Sequence, residues 1–180
     1  DDEDGYAFIR GLVDRVDIPL VLDATAVNAF KGEAGALNPR GRARVITPHP
    51  GELARLIGRS APEINEHRLA VAMETARISR CVVLLKGHQT IVAAPDGRTA
   101  VNPTGNPGMA TGGMGDVLSG LLVSLLGQGF DLFAATCAAA YIHGFAGDLL
   151  RAESSEIGML ARDVADRIPA AIERIRGNRQ

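Results

Sequence analysis

Residues 102–116, Asn-Pro-Thr-Gly-Asn-Pro-Gly-Met-Ala-Thr-Gly-Gly-Met-Gly-Asp, set five glycines and one carboxylate directly ahead of an apolar run. That run, Val117 to Leu126, has the length and composition of a helix. Gly112, Gly113 and Gly115 then lie where a helix leaves its first N–H groups unpaired and its dipole positive, which makes a cradle for phosphate or another anion. Glycine suits such a loop because a residue without Cβ reaches positive φ cheaply and lets the backbone approach an anion closely. Asp116 reads in two ways: as the cap of the helix, or as a general base for a hydroxyl attacking phosphorus in the cradle. Glycine spacing by itself does not choose between an anion site and a tight structural turn.

Three apolar runs supply the elements that must position this loop. Ile18-Pro-Leu-Val-Leu-Asp23, Arg44-Val-Ile-Thr47 and Cys81-Val-Val-Leu-Leu85 each have the pattern of a strand buried on both faces. The first ends in Asp23, the second runs into Pro48-His49-Pro50, and the third into Lys86-Gly87-His88. Helices are expected over 50–57, 62–80, 115–126, 132–150 and 161–175. Residues 90–94 and 99–101 flank Pro95-Asp96-Gly97 as a hairpin. The alternation predicts an α/β fold with a mostly parallel sheet covered on both faces, and a ligand crevice beyond the carboxyl ends of the strands. Asp23, His49, Lys86 and the glycine loop are expected to meet on that rim.

Each rim residue also has an ordinary reading. Lys86 alone is a solvated strand-end lysine. His49 is a surface or packing histidine, although the flanking prolines stiffen its turn and fix its direction. Glu52 is equally an acid in the first turn of a helix, where it complements the dipole. His143, on an Ala-rich segment, reads as a satisfied packing residue, and Asn28 as a cap of the next turn. His67 carries no signal of its own.

At 180 residues the chain is expected to form one domain, 1–180, and its 46% hydrophobic content is enough for a sizeable core. A net charge of −2 and only 4% aromatic residues, with no Trp, argue against a nucleic-acid surface. No stretch approaches the roughly 18 apolar residues of a membrane span, and the acidic start Asp1-Asp2-Glu3-Asp4 is unlike a basic leader. Cys81 and Cys137 lie in apolar runs and read as buried thiols, which suits a cytoplasmic protein. No His, Cys and Asp spacing fits zinc. The chain does not begin with Met, so an upstream portion is expected to be absent.

With these segments assembled, the chain resembles the NAD(P)H-hydrate dehydratases of the ribokinase-like superfamily over essentially its whole length. The resemblance rests on Val-Leu-Asp-Ala-Thr-Ala-Val-Asn at 21–28, Thr-Pro-His-Pro-Gly-Glu-Leu-Ala-Arg-Leu at 47–56, Leu-Lys-Gly-His-Gln-Thr at 85–90 and the glycine loop at 102–116. It implies a three-layer sandwich and an activity that repairs hydrated NADH and NADPH. ATP or ADP, with Mg²⁺ on its phosphates, phosphorylates the hydrate hydroxyl, and phosphate is then eliminated.

The roles implied follow position by position. Asp116 matches the catalytic base, with the amides of Gly112, Gly113 and Gly115 around the phosphoryl group. Lys86, Gly87, His88, Gln89 and Thr90 match the nucleotide-binding segment. His49, Glu52, Arg55, Asp23 and Asn106 match positions that, with Asp116, face the hydrated dinucleotide. Members tend to form tetramers, and a homo-oligomer is implied for the full-length family form.

Departures from the family pattern are equally specific. Met114 stands where Ser or Thr is usual and Thr25 where Asp is usual. Nothing in residues 1–20 matches the family's earlier Gly-Pro-Gly-x-Gly loop, so the chain is expected to cover the C-terminal two-thirds of the domain, with an open sheet edge. Two other readings remain: a ribokinase-like kinase for a vitamin precursor or sugar, which shares the Gly-x-Gly-Asp ending, and a catalytically silent nucleotide-binding fragment. The Pro-His-Pro-Gly-Glu turn and the Asn-Pro-Thr-Gly-Asn-Pro-Gly run favour the dehydratase.

Overall fold

The three apolar runs become three parallel strands, β1 (Leu20–Leu22), β2 (Arg44–Ile46) and β3 (Val82–Leu85). The computed structural model describes residues 3–177, so Asp1 and Asp2 of the acidic start lie outside the described residues. The expected hairpin follows as β4 (Ile91–Ala93) and β5 (Thr99–Val101), both antiparallel, and the sheet order is the chain order β1-β2-β3-β4-β5. The sheet is therefore mixed: a parallel part three strands wide extended by a hairpin. Among the described residues β1 pairs only with β2 and forms one end of the sheet.

Side-chain alternation along each strand divides the core into two layers. Leu22, Ile46, Val83, Leu85, Ile91 and Ala93 face one way. They meet α1 (Glu3–Arg15), α2 (Thr25–Asn28), α3 (Pro50–Ile57), α4 (Ala61–Glu66) and α5 (Arg68–Ser79), whose Val13, Val27, Leu53, Ile64 and Val71 complete that layer. Val45, Val82, Leu84, Val92 and Ala94 face the other way, onto Leu118, Leu122 and Leu125 of α6 (Met114–Gly127) and Ala135, Ala139 and Ala140 of α7 (Leu132–Glu153). Helix α8 (Ala161–Gly177) lies on α7 over a third cluster that includes Met114, Ala146, Leu149 and Val164. This is the expected three-layer α/β sandwich.

Two local departures from the expected elements have physical causes. Residues 62–80 form two helices, not one, because the chain leaves helical geometry at His67 (φ −124°, ψ 35°). Ser60 caps the first by accepting from Glu63 N–H at 3.3 Å, and the second restarts at Arg68, whose guanidinium turns onto the end of β3. Helix α1 was not expected among the charged residues that open the chain. It forms because Tyr6, Ile9 and Val13 share one face against the core, with acids in its first turn and Arg15 in its last. Buried Arg44 holds its exit, donating to the carbonyl oxygens of Val13 (3.2 Å), Val16 and Ile18 (2.9 Å).

Candidate functional site

The carboxyl ends of β1, β2 and β3 deliver Asp23, the 47–50 turn and Lys86 to one rim, as the strand pattern requires. Lys86 Nζ lies 2.8 Å from Asp23 Oδ1 and 3.7 Å from Glu52 Oε2. The two strand ends are tied through the backbone as well, since Lys86 N–H donates to Pro48 O at 2.9 Å. These three charges are largely withdrawn from solvent, with side-chain exposures of 23% for Lys86, 19% for Asp23 and 7% for Glu52. In that setting a carboxylate without its cation would be costly, so the ion pairs fix one another's positions.

His49 caps helix α3 with its ring. Nδ1 accepts from Gly51 N–H at 3.0 Å and from Glu52 N–H at 3.4 Å, while Glu52 Oε2 accepts from His49 N–H at 2.8 Å, a reciprocal capping box. With Nδ1 accepting, the neutral ring carries its proton on Nε2, 3.5 Å from Glu52 Oε1. Glu52 thus links His49 to Lys86. Arg55, one turn further, donates from Nε to Asn28 Oδ1 at 3.0 Å, so Asn28 anchors Arg55 rather than capping a turn.

The glycine loop meets this rim at the start of α6. Gly113 is the N-cap residue, at φ 86°, and contributes no side chain. Met114, Gly115 and Asp116 follow as the first turn. Asp116 is therefore not the cap, which removes the first of its two readings. Its carboxylate is exposed, and no hydrogen bond or ion pair engages it among the described residues. A Cβ on Gly115 would lie 3.3 Å from Asp23 Oδ2 and 3.6 Å from Lys86 Nζ, so the loop's backbone passes directly over the ion pair. Ser119, one helical turn on, donates to Asp23 Oδ2 at 3.3 Å and closes the contact.

The earlier part of the loop is fastened to α7. Asn102 donates to Ala140 O at 3.2 Å, and Thr104 to Tyr141 O at 2.9 Å. Asp148 accepts from Gly105 N–H at 2.8 Å and from Asn106 Nδ2 at 3.0 Å. Helix α7 can lie this close because a side chain at Gly144 would collide with Thr104. Asn106 is thus already committed to Asp148 and to the Gly108 N–H, 3.1 Å from its Oδ1.

The segment 86–90 does not act as one surface. Lys86 points to Asp23, whereas Gly87, His88 and Gln89 line a separate cleft of 560 Å³ with Pro50, Arg68 and Leu69. Thr90 Oγ1 closes the turn by donating to Gly87 O at 3.0 Å.

The remaining titratable candidates are structural. Burial pushes the Cys81 thiol up to about 12, and raises Cys137 as well, so neither is a poised nucleophile. His143 is buried as expected but not satisfied: Nε2 has no hydrogen-bond partner among the described residues, and burial pushes its pKa down to about 4. Among the described residues no group of three or more His, Cys, Asp or Glu is placed to hold a metal ion. Likewise none of their helices is long and apolar enough to cross a membrane.

Three residues of the site had not been singled out from sequence. Ser119 was recoverable, since it lies four residues beyond Gly115 on the same helix face. Asp148 and Arg68 act on backbone groups far away in the chain and leave no local pattern.

The family model described as NAD(P)H-hydrate dehydratase matches residues 2–170. An ADP-dependent (S)-NAD(P)H-hydrate dehydratase of Neisseria meningitidis is 44% identical over 164 residues, covering 89% of this chain and 54% of that protein. A bifunctional NAD(P)H-hydrate repair enzyme of Moorella thermoacetica is 44% identical over 167 residues, 93% of this chain and 32% of the relative. The crystal structure of the ADP/ATP-dependent NAD(P)H-hydrate dehydratase of Bacillus subtilis, co-crystallised with ATP/Mg²⁺, superposes with a TM-score of 0.77 at 34% identity. That match covers 88% of this chain and 56% of that one. The chain thus spans roughly a third to a little over half the length of these relatives.

Proposed function

Because the chain belongs to the NAD(P)H-hydrate dehydratase family, we propose that its rim and glycine loop carry out nucleotide-dependent dehydration of hydrated NADH and NADPH. The observation that carries this reading is the first turn of α6: an exposed, unpaired Asp116 next to Gly115, whose backbone lies over the Lys86–Asp23 pair. A base needs a free carboxylate and an anion cradle needs free N–H groups, and this turn offers both in consecutive residues.

In the proposed reaction, Asp116 takes the proton of the hydrate hydroxyl as its oxygen attacks the terminal phosphorus of ADP or ATP. The bond from that phosphorus to the nucleotide's bridging oxygen breaks. The N–H groups after Gly112 and Gly113 hold the charge on the transferring phosphoryl oxygens. Phosphate is then a far better leaving group than hydroxide. Its departure, with loss of a proton from the adjacent ring carbon, restores the double bond of the nicotinamide ring. Lys86 offsets phosphate charge, and its carboxylate partners keep it at the mouth of the loop. The residues Gly87, His88, Gln89 and Thr90 receive the nucleotide, while His49, Glu52, Arg55 and Asp23 face the hydrated dinucleotide together with Asn106.

The donor set supports Mg²⁺ only as a companion of the nucleotide. Asp23 and Glu52 already share Lys86, whereas Mg²⁺ is ordinarily held by one or two carboxylates together with substrate phosphates. Asp23 is the rim residue that would meet it there. A cytoplasmic setting fits this substrate pair.

The deciding experiment incubates the chain with hydrated NADH and either ADP or ATP and follows the return of NADH absorbance. Recovery that requires nucleotide supports the dehydratase. Phosphoryl transfer to a vitamin precursor or sugar, without NADH recovery, supports the kinase reading. Nucleotide binding with neither activity identifies a binding fragment.

A further inference from the structure

The turn that leaves β3 is held from outside by a cation with no carboxylate partner. Arg68 opens helix α5 immediately after the break at His67, and its guanidinium is half-buried against the strand end. Its Nη2 donates to Leu85 O at 3.2 Å and to Lys86 O at 3.4 Å. No acidic side chain lies within 4.0 Å of it among the described residues, unlike Arg10, Arg42, Arg59 and Arg98, each paired with a carboxylate. Burial lowers its pKa, the direction expected for a cation with no counter-charge to offset desolvation.

Gly87 shows what the guanidinium does. Its φ is +134°, a region that side-chain-bearing residues rarely occupy, and a Cβ there would stand 3.1 Å from Arg68 Nη1 and 3.2 Å from Nη2. The guanidinium fills the space a side chain would take. Gln89, at φ +52°, and the Thr90 to Gly87 hydrogen bond then complete the turn. One face of that turn aims Lys86 at Asp23, and the other lines the cleft that Arg68 also lines.

We propose that Arg68 is a positioning residue: by clamping the carbonyls of Leu85 and Lys86 it sets the turn 86–90 that receives the nucleotide. This rests on the nucleotide reading of that turn. Arg68 donates both bonds from Nη2 while the plane of its guanidinium fills the space beside Gly87, so a lysine of equal charge, which lacks that planar group, is a poor substitute.

The test compares the wild-type chain with Arg68→Met, Arg68→Lys and Gly87→Ala. Melting temperatures come first, to identify variants that fold. Hydrogen exchange is then measured across 86–90 without ligand, ADP affinity by calorimetry without hydrate, and kcat and KM for each substrate. Arg68→Met is expected to speed exchange in 86–90 and to raise the ADP Kd and nucleotide KM about tenfold, the scale of losing a hydrogen bond from a charged group. The KM for hydrated NADH should stay within about twofold. Arg68→Lys should behave like Arg68→Met. Gly87→Ala, which pushes the guanidinium away while leaving it in place chemically, should weaken ADP binding in the same direction and serves if Arg68→Met does not fold.

Unchanged exchange and ADP affinity in the variants, or full recovery by lysine, would overturn the role of Arg68 while leaving the nucleotide site standing. A wild-type chain that binds neither ADP nor ATP would overturn the nucleotide reading of the turn, and the role of Arg68 with it.

Discussion

The strand-end rim and the first turn of α6 lie against each other, yet their polar groups are in opposite states. On the rim, Asp23, Glu52 and Lys86 are ion-paired and largely shielded, with the exposed His49 bonded to Glu52 at the edge, so every charge has a partner before any ligand arrives. On the helix turn, Asp116 is exposed and unpaired, and the cap residue Gly113 brings no side chain to cover the first N–H groups. The difference separates two tasks. The rim is preorganised and stiff, a surface that holds geometry; the turn keeps its hydrogen-bonding capacity open, a surface that can react.

The sharpest way to break that division is Asp116→Asn. A general base contributes about 10² to 10⁴ in rate, so NADH recovery should fall by about that factor. Because the carboxylate makes no internal bond among the described residues, the melting temperature should fall by no more than about 1–4 °C, the loss of a first-turn acid against the helix dipole. Turnover that survives the substitution would show that the open carboxylate is not the base.

Lys86→Met attacks the other half. It leaves Asp23 and Glu52 facing each other across a shielded gap without their cation. Removing one partner of a buried pair costs about 3–5 kcal/mol, and partial exposure lowers the expected loss here to roughly 2 kcal/mol. In a chain of this size that is a fall of about 4–8 °C in melting temperature. A variant that loses nucleotide affinity without any melting shift would place Lys86 among the open groups instead of the rim.

The same contrast explains what was legible in the sequence. Rim residues terminate uninterrupted apolar runs, so Asp23, His49 and Lys86 could be placed by strand pattern before any coordinates, and the glycine loop by its composition. What stayed hidden acts across the chain from within helices. Ser119 reaches Asp23 over a separation of 96 residues, Asp148 reaches Asn106 over 42, and Arg68 reaches Lys86 O over 18. No local period marks such contacts, because the partner is a backbone group or a distant side chain. Helix α1 was obscured for another reason: its apolar face of Tyr6, Ile9 and Val13 is sparse and set among charges. The break at His67 was equally invisible, since the residues on both sides favour helix.

Acid should loosen the loop side. His143 lies on α7 between Ala140, whose carbonyl holds Asn102, and Gly144, which seats Thr104. Its folded-state pKa of about 4 lies below the ordinary 6.5, so between those values the unfolded chain binds the proton and the folded chain does not. Stability therefore falls as pH drops through that window, by up to about 1.4 kcal/mol per pH unit. Between pH 7 and pH 5 this group should remove roughly 2 kcal/mol, measured as a lower urea midpoint. In His143→Gln that part of the pH dependence should vanish, and an unchanged slope would assign it elsewhere.

The smallest effect is also the most discriminating, because it pits the two regions against each other within one residue. Gly115 belongs to the open turn, yet its missing side chain faces the closed rim, 3.3 Å from Asp23 Oδ2 and 3.6 Å from Lys86 Nζ. Alanine favours helix over glycine by about 0.8–1 kcal/mol, so Gly115→Ala should hold or slightly raise the melting temperature once the Asp23 carboxylate shifts by a few tenths of an ångström. The same methyl group would occupy the space through which phosphate oxygens approach the backbone, and nucleotide KM should rise several-fold, about 1 kcal/mol of binding. Stability and affinity moving in opposite directions is the signature of a glycine kept for its ligand. If both fall together, the glycine serves packing against the rim, and the anion cradle lies no deeper than Gly112 and Gly113.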